Sequence, residues 1–396
     1  MIYLDNAATT RVDDVVFDAM VPWLTDSFGN AGAKYELGRS AARAVYESRC
    51  DVAKLFGCSP DNVVFTSGGS EANSLAVYNA YNLWFDGDMF PEYNAVVYEG
   101  EHHSTLSAFD YRFNNEVRYV DRKFGESDEE FIKKITRRIN HRTKFISVMY
   151  VNNETGVVNP VKEIGRLCKE NGIVFHTDCV QAAGSRPINV EEIGCDFASI
   201  SGHKIHAPKG IGALYVKDIN SALPIIYGSE SQEFGVRGGT ENVASIVGLG
   251  VAAKAIFEKQ ADTSFANHEK LVKSKFYSEL ISNLEKFGLN RISHVNGLSP
   301  DECGKILNMR FDLVDAETLL LLLDTMGVCA SAGSACNSHD SEPSRVLLSC
   351  GLTPDEARSS VRFSFSKNNT EEEAIEAAKI VADCVELLYP NEDSEE

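Results

Sequence analysis

Between residues 63 and 216, short apolar runs recur at intervals, separated by longer stretches in which apolar positions return every three or four residues. The short runs cover residues 63–65, 95–98, 145–151, 173–176, 197–200 and 211–216. Strands covered on both faces read as unbroken apolar runs, and one-sided helices read with a period near 3.6. The alternation predicts an α/β domain with a mostly parallel sheet covered by helices, with ligands at the carboxyl ends of its strands. Upstream, residues 12–24 and 38–55 carry helical periodicity, with Phe28-Gly-Asn30 as a turn between them. A long helical stretch over 242–284 leads out of this domain. The last helix is signalled by Thr370 and Glu373, a capping box ahead of Ile375, Ala378, Val381, Val385 and Leu388. The pattern divides the chain into a large domain over 13–255 and a smaller one made of 1–12 and 256–396.

Composition sharpens this picture in three ways. A chain of 396 residues that is 43% hydrophobic exceeds the length at which one core keeps growing, in keeping with two domains. A formal net charge of −20 argues against binding to nucleic acid or anionic membrane, and suits a protein partner with a basic patch. No run approaches the roughly 18 apolar residues of a membrane span, and Met1-Ile-Tyr-Leu-Asp5 lacks the parts of a signal peptide, so a cytoplasmic location is expected.

The ten cysteines include no Cys-x-x-Cys pair and no paired Cys/His spacing, which argues against structural zinc. Most are expected to be small buried hydrophobes. Cys336 differs. It lies in Ser331-Ala-Gly-Ser-Ala-Cys-Asn-Ser-His-Asp-Ser-Glu-Pro-Ser344, whose small and polar residues read as an exposed, mobile loop over about 329–344.

Reactive side chains collect just past the apolar runs. Thr66-Ser-Gly-Gly-Ser-Glu-Ala-Asn73 leads into a helix, so its backbone N–H groups could cradle a phosphate, although a tight turn reads the same way. Glu101-His102-His103-Ser104 offers an imidazole that could stack on a flat ring and move protons, or serve the fold alone. Val151-Asn-Asn-Glu-Thr-Gly156 offers amides for a phenolic oxygen. Asp178 emerges from another run, where taken by itself it reads first as a cap for the next helix, and it is also suited to a pyridine nitrogen. Ser201-Gly-His-Lys204 supplies an amine for a Schiff base beside groups that grip an anion.

Taken jointly, these segments resemble the pyridoxal phosphate-dependent cysteine desulfurases of fold type I, relatives of the class V aminotransferases. The resemblance runs from Tyr3-Leu-Asp-Asn-Ala-Ala-Thr-Thr10 to the segment at Arg362, and Gly333-Ser-Ala-Cys336 with Glu342-Pro-Ser344 points to the subgroup with a long cysteine-bearing loop. It implies a mostly parallel seven-stranded sheet in the large domain, a smaller α+β domain, a homodimer, and conversion of L-cysteine to L-alanine with sulfur passed to an acceptor protein for iron–sulfur cluster assembly or tRNA thiolation.

The resemblance also implies roles. Lys204 would carry pyridoxal 5′-phosphate and abstract the α-proton, His102 would stack on the ring, and Asp178 would pair with its nitrogen. Gln181 and Asn153 would bind the ring oxygen. Gly69, Ser70, Ser201 and His203 would hold the phosphate, joined by Thr240 of a second subunit. Arg362, with Asn30, would clamp the substrate carboxylate, and Cys336 would take the sulfur as a persulfide. The chain departs from the family pattern at Ser70, where threonine is usual, and at Asn30-Ala-Gly-Ala-Lys-Tyr35, which lacks Pro and His. Ser229-Glu-Ser231, Phe234 and Gly238 depart as well. A selenocysteine lyase of the same fold and a non-catalytic sulfur-carrier subunit are the alternatives. Retention of both Lys204 and Cys336 speaks against the second.

Overall fold

The computed structural model describes residues 1–83, 93–113, 116–260, 264–297, 304–333 and 342–390. The strands in chain order are β1 (Ile2–Tyr3), β2 (Val63–Thr66), β3 (Asn94–Tyr98), β4 (Val117–Val120), β5 (Thr143–Ser147), β6 (Val174–Asp178), β7 (Phe197–Ser201), β8 (Gly212–Val216), β9 (Ser293–Val295), β10 (Ile306–Phe311), β11 (Val328–Cys329) and β12 (Ser360–Ser364). Seven of them form one sheet in the order β2-β8-β7-β6-β5-β3-β4. All of its pairings are parallel except those of β8, which runs against both β7 and β2. The reversal has a local cause. Only residues 202–211 join β7 to β8, too short a link for the helical crossover that a parallel return needs.

The strands at the centre of this sheet are buried along almost their whole length, which is why they read as unbroken apolar runs. Edge strand β4 is the one the pattern misses, because Arg118 and Tyr119 leave it half-exposed and break its apolar run. Successive residues point to opposite faces: Val63 and Phe65 join a cluster with Val45, Val52 and Leu249, while Val64 joins Leu75, Ala76 and Phe109. Helices therefore cover both sides, with Glu36–Phe56 and Val243–Gln260 on one, and Gly69–Asn82 and His103–Phe113 on the other.

A separate core forms around β10 and β12, with helices Ser264–Lys286, Ala316–Thr325 and Glu371–Leu388 packed on them. Ile2 and Leu4 belong to this second core, since β1 pairs with β11. The capping box at Thr370 and Glu373 is formed. The stretch 242–284, expected as one helical run, is two helices, Val243–Gln260 and Ser264–Lys286. Among the described residues no helix is long and apolar enough to cross a membrane.

Candidate active site

The carboxyl ends of β2, β3, β5, β6 and β7 open into one cavity of about 200 Å³, closed on another side by Ala7 and Ala8. Gly69 and Ser70 border it where β2 turns into the helix Gly69–Asn82. Space at the turn is tight, since a Cβ on Gly69 would lie 3.0 Å from Val180 and 3.4 Å from Ser201. Glu71, next in the chain, accepts the Ser67 N–H at 2.7 Å through one oxygen and Arg237 Nε at 3.0 Å through the other.

Asp178, at the end of β6, is buried, with Oδ2 accepting from Asn73 Nδ2 and Oδ1 from the Val180 N–H, both at 2.8 Å. These two donors fix the carboxylate plane and stabilise its charge. At the end of β7 the chain winds into a short 3₁₀ turn, Gly202–Lys204. It aims Lys204 Nζ at the carbonyls of Ala7 (2.6 Å) and Ala8 (2.7 Å). His203 binds Thr9 Oγ1 through Nδ1 at 3.2 Å. Burial, reinforced by Lys204 and Lys209, pushes His203 down to about 4, so its ring is neutral at pH 7.

His102 follows β3. Its Nδ1 accepts the Ser104 N–H at 3.2 Å and lies 2.8 Å from Ser104 Oγ. Because an N–H points at Nδ1, the proton of the neutral ring sits on Nε2. Burial lowers the His102 pKa against the opposing pull of Asp178, and the charge of Lys204 adds to the lowering. Glu101, directly before it, is buried, and desolvation with the nearby Asp178 charge raises its carboxyl well above the usual range.

Beyond β5, Asn152 Oδ1 accepts the N–H groups of Glu154 and Thr155 at 2.9 Å, a side-chain-closed turn that presents Asn153 to the cavity. The Asn153 carbonyl accepts Arg362 Nη1 at 2.9 Å, and Asp5 accepts Arg362 Nη2 at 2.7 Å. Arg362 comes from β12 of the second core, so the cavity lies at the junction of the two.

Four buried atoms of cavity residues have no hydrogen-bond partner: Asn73 Oδ1, Asn153 Oδ1, Gln181 Oε1 and Arg362 Nε. Buried polar atoms are nearly always satisfied, so this set fits a polar ligand. The fit to a phosphorylated pyridine aldehyde is chemical as well. An amine, a fixed carboxylate, an imidazole and a glycine-bordered hydroxyl cluster at Ser70 and Ser201 surround one space.

Of the residues singled out from the sequence, Lys204, His102, Gly69, Ser70, Asn153, Asp178, Gln181, Ser201, His203 and Arg362 all border this cavity. Asn30 and Thr240 do not. Asn30 is exposed and its Oδ1 accepts the Gly32 N–H, closing a local turn, and Thr240 is exposed at the end of a surface loop. Within one chain neither reaches the site. Cys336 and residues 334–341 lie outside the described residues. A second, larger cleft of about 780 Å³ shares His102 and Asn153 with the first cavity, and is bordered by Gly333 and Ser344 on either side of that segment. The sequence reading gave no role to Asn73, Ser104, Asp5 or the carbonyls of Ala7 and Ala8. Asn73 carried a signal: it stands one helical turn beyond Gly69 and Ser70 and so shares their face.

A family model described as aminotransferase class-V matches residues 2–376. The chain is 38% identical over 395 residues to a cysteine desulfurase IscS of Dictyoglomus turgidum, an alignment that covers 98% of this chain and 95% of that protein. Among solved structures, a NifS-like protein matches with a TM-score of 0.84 at 28% identity, covering 98% of this chain and 100% of the other. The protein SspA, solved in complex with cysteine, matches with a TM-score of 0.75 at 30% identity, over 93% of this chain and 100% of its own.

Proposed function

The chain belongs to the class-V aminotransferase family and, within it, to the cysteine desulfurases, and from that premise we propose that it converts L-cysteine to L-alanine and collects the sulfur on Cys336. The observation that carries this reading is the convergence of Lys204, Asp178, His102 and Arg362 on one buried cavity. Pyridoxal 5′-phosphate, bound there, supplies an electron sink for the α-carbon of an amino acid. Lys204 would hold it through Nζ and would take up the α-proton at the same atom. The Ala7 and Ala8 carbonyls hold that amine in place.

Asp178, its plane fixed by Asn73 and Val180, keeps the ring nitrogen protonated. His102 stacks on the ring and moves a proton through Nε2. Gln181 and Asn153 orient the ring oxygen, and Gly69, Ser70, Ser201 and His203 receive the phosphate. Arg362 binds the substrate carboxylate through its unpartnered Nε edge. The Cys336 thiolate attacks the substrate sulfur, the Cβ–S bond breaks, the sulfur stays on Cys336 as a persulfide, and the three-carbon remainder is protonated and leaves as alanine.

The finer parts of the proposal are these. A large domain over 13–255 holds the cofactor, and a small domain made of 1–12 and 256–396 carries the Cys336 loop of the long-loop subgroup. The enzyme is a cytoplasmic homodimer in which Thr240 of the second subunit completes the phosphate site and Asn30 aids in binding substrate. An acceptor protein takes the sulfur onward to iron–sulfur cluster assembly or tRNA thiolation.

The test uses two variants and two readouts. Wild-type protein should absorb in the visible range when loaded with pyridoxal phosphate, and Lys204→Ala should abolish that band. Cys336→Ser should keep the band and lose sulfide release from cysteine. A colourless wild type, or a Cys336→Ser variant of full activity, removes the reading.

A further inference from the structure

A carboxylate sits on the turn that is to hold a phosphate, although it does not line the cavity itself. Glu71 directly follows Gly69 and Ser70, the first residues of the helix Gly69–Asn82 that border the cavity. Its side chain is turned back over the same turn, since Oε2 accepts the Ser67 N–H at 2.7 Å. Only 8% of that side chain is exposed, so water screens its charge poorly. A negative charge in the first turn suits a helix N-terminus, but it opposes a phosphate at the same place.

Arg237 answers that charge. Its Nε donates to Glu71 Oε1 at 3.0 Å, from a loop far along the chain. The loop is tightly made: Gly238 N–H donates to the Ile226 carbonyl at 2.8 Å, and Gln232 Oε1 accepts the N–H groups of Ser229 and Gly239. A Cβ on Gly239 would lie 3.4 Å from Arg237 Nη1, so the guanidinium also packs beside the run that ends in Thr240. Burial alone would raise the Glu71 carboxyl, yet the hydrogen bonds from Arg237 and Ser67 bring it below its ordinary value. Glu71 is therefore ionised at neutral pH, and its charge has to be balanced.

We propose that Arg237 is a positioning residue for the cofactor phosphate: by pairing with Glu71 it cancels the one negative charge built into the cradle and fixes the loop that ends at Thr240. The inference rests on the reading that the cradle at Gly69 and Ser70 receives a phosphate. It concerns affinity for the phosphorylated cofactor, and it assigns Arg237 no part in the chemistry at the α-carbon. Removing the guanidinium leaves a poorly screened carboxylate on the same turn as a dianion, an effect on the order of tenfold or more in affinity.

The experiment strips the full-length protein of cofactor and titrates it with pyridoxal 5′-phosphate and, separately, with pyridoxal, which has the aldehyde and ring but no phosphate. Arg237→Gln should weaken pyridoxal phosphate by about tenfold or more and leave pyridoxal unchanged. Arg237→Lys, which keeps the charge, should recover part of the loss. The double variant Glu71→Gln/Arg237→Gln, which removes both charges, should return to within a few-fold of wild type. It also serves as the test if Arg237→Gln does not fold. Equal affinity in Arg237→Gln, an equal loss for pyridoxal, or a double variant as weak as Arg237→Gln overturns the proposal and leaves the desulfurase reading standing. A wild type that binds no pyridoxal phosphate overturns both.

Discussion

Two buried arginines, each paired with a carboxylate, do different work in this molecule. Arg49, at the sheet edge beside β2, is enclosed. Its two Nη atoms hold Glu233 Oε2 at 2.8 Å and Oε1 at 2.6 Å, Nη1 also donates to the Val63 carbonyl, and the guanidinium lies over Phe65 and Phe234. Glu233 accepts the Phe65 N–H as well. Glu233 and Phe234 both adopt positive φ, 43° and 58°, a conformation costly for residues with side chains, and the clamp holds them there. Arg362, between the two cores, is as deeply buried, but its Nε has no partner and borders the cavity. Burial and pairing do not tell a structural arginine from a binding one. An unpartnered edge on a residue that borders the cavity does, for Arg122 Nε is also buried without a partner but Arg122 does not border it.

The largest effect that separates the two should come from Arg49→Met. With the guanidinium gone, Glu233 is left buried and unpaired, and its side chain is only 6% exposed. A loss of about 3–5 kcal/mol in urea-unfolding stability is expected, with the KM for cysteine unchanged in the protein that stays folded. A loss below about 1 kcal/mol would mean that Glu233 finds another partner and that the clamp is not what holds the strained turn.

Arg362→Ala should show the opposite division. Asp5, its partner, is 16% exposed and can reach water, so the stability loss should be smaller than for Arg49→Met. Loss of a charge-assisted hydrogen bond to the substrate carboxylate is worth about 1.5–3 kcal/mol, which is roughly a 10- to 150-fold rise in the KM for cysteine. Steady-state kinetics beside urea unfolding checks both halves. An unchanged KM with a stability loss matching that of Arg49→Met would make Arg362 a second structural clamp.

The same distinction marks where the sequence was legible. Apolar runs gave away the central strands because burial on both faces leaves no polar positions to confuse the period. Edge strand β4 has no such constraint, and Arg118 and Tyr119 hid it. Lys204, Asp178 and His102 could be found because each stands just past such a run, where a parallel sheet delivers side chains to ligands. Asp5, Ala7 and Ala8 could not be given roles that way. Ala7 and Ala8 reach the cavity, and Asp5 reaches Arg362, only because β1 pairs with β11 and Asp5 bridges to Ser364, contacts hundreds of residues apart that leave no periodic trace. The pairs Arg49–Glu233 and Arg237–Glu71 likewise join residues far apart in sequence, by 184 and 166 positions. Asn30 and Thr240 mark the opposite limit, since similarity assigned them to a site that one chain does not bring them to.

Two histidines, one after β3 and one on β6 with β5 between those strands, repeat the contrast on a smaller energy scale. His102 is fixed at Nδ1 by Ser104 and borders the cavity, whereas His176 on β6 is fully buried, its Nδ1 2.9 Å from Ser147 Oγ and its Nε2 3.1 Å from Ser199 Oγ. Burial pushes His176 down to about 3. In the unfolded chain it titrates near 6.5, so the unfolded state takes up the proton first. Its contribution to stability is thus fully present above about pH 6.5 and is lost as the pH falls from there toward 3. Between pH 6.5 and 5.5 that loss is about 1 kcal/mol for this one group. His203, lowered to about 4, adds a second loss over much the same range. His176→Gln should therefore flatten the acid limb of a urea-stability profile by the share of a single proton, whatever its effect on stability at pH 7. An unchanged slope would mean that His176 is already protonated inside the folded sheet, shared with Glu101 through Ser147.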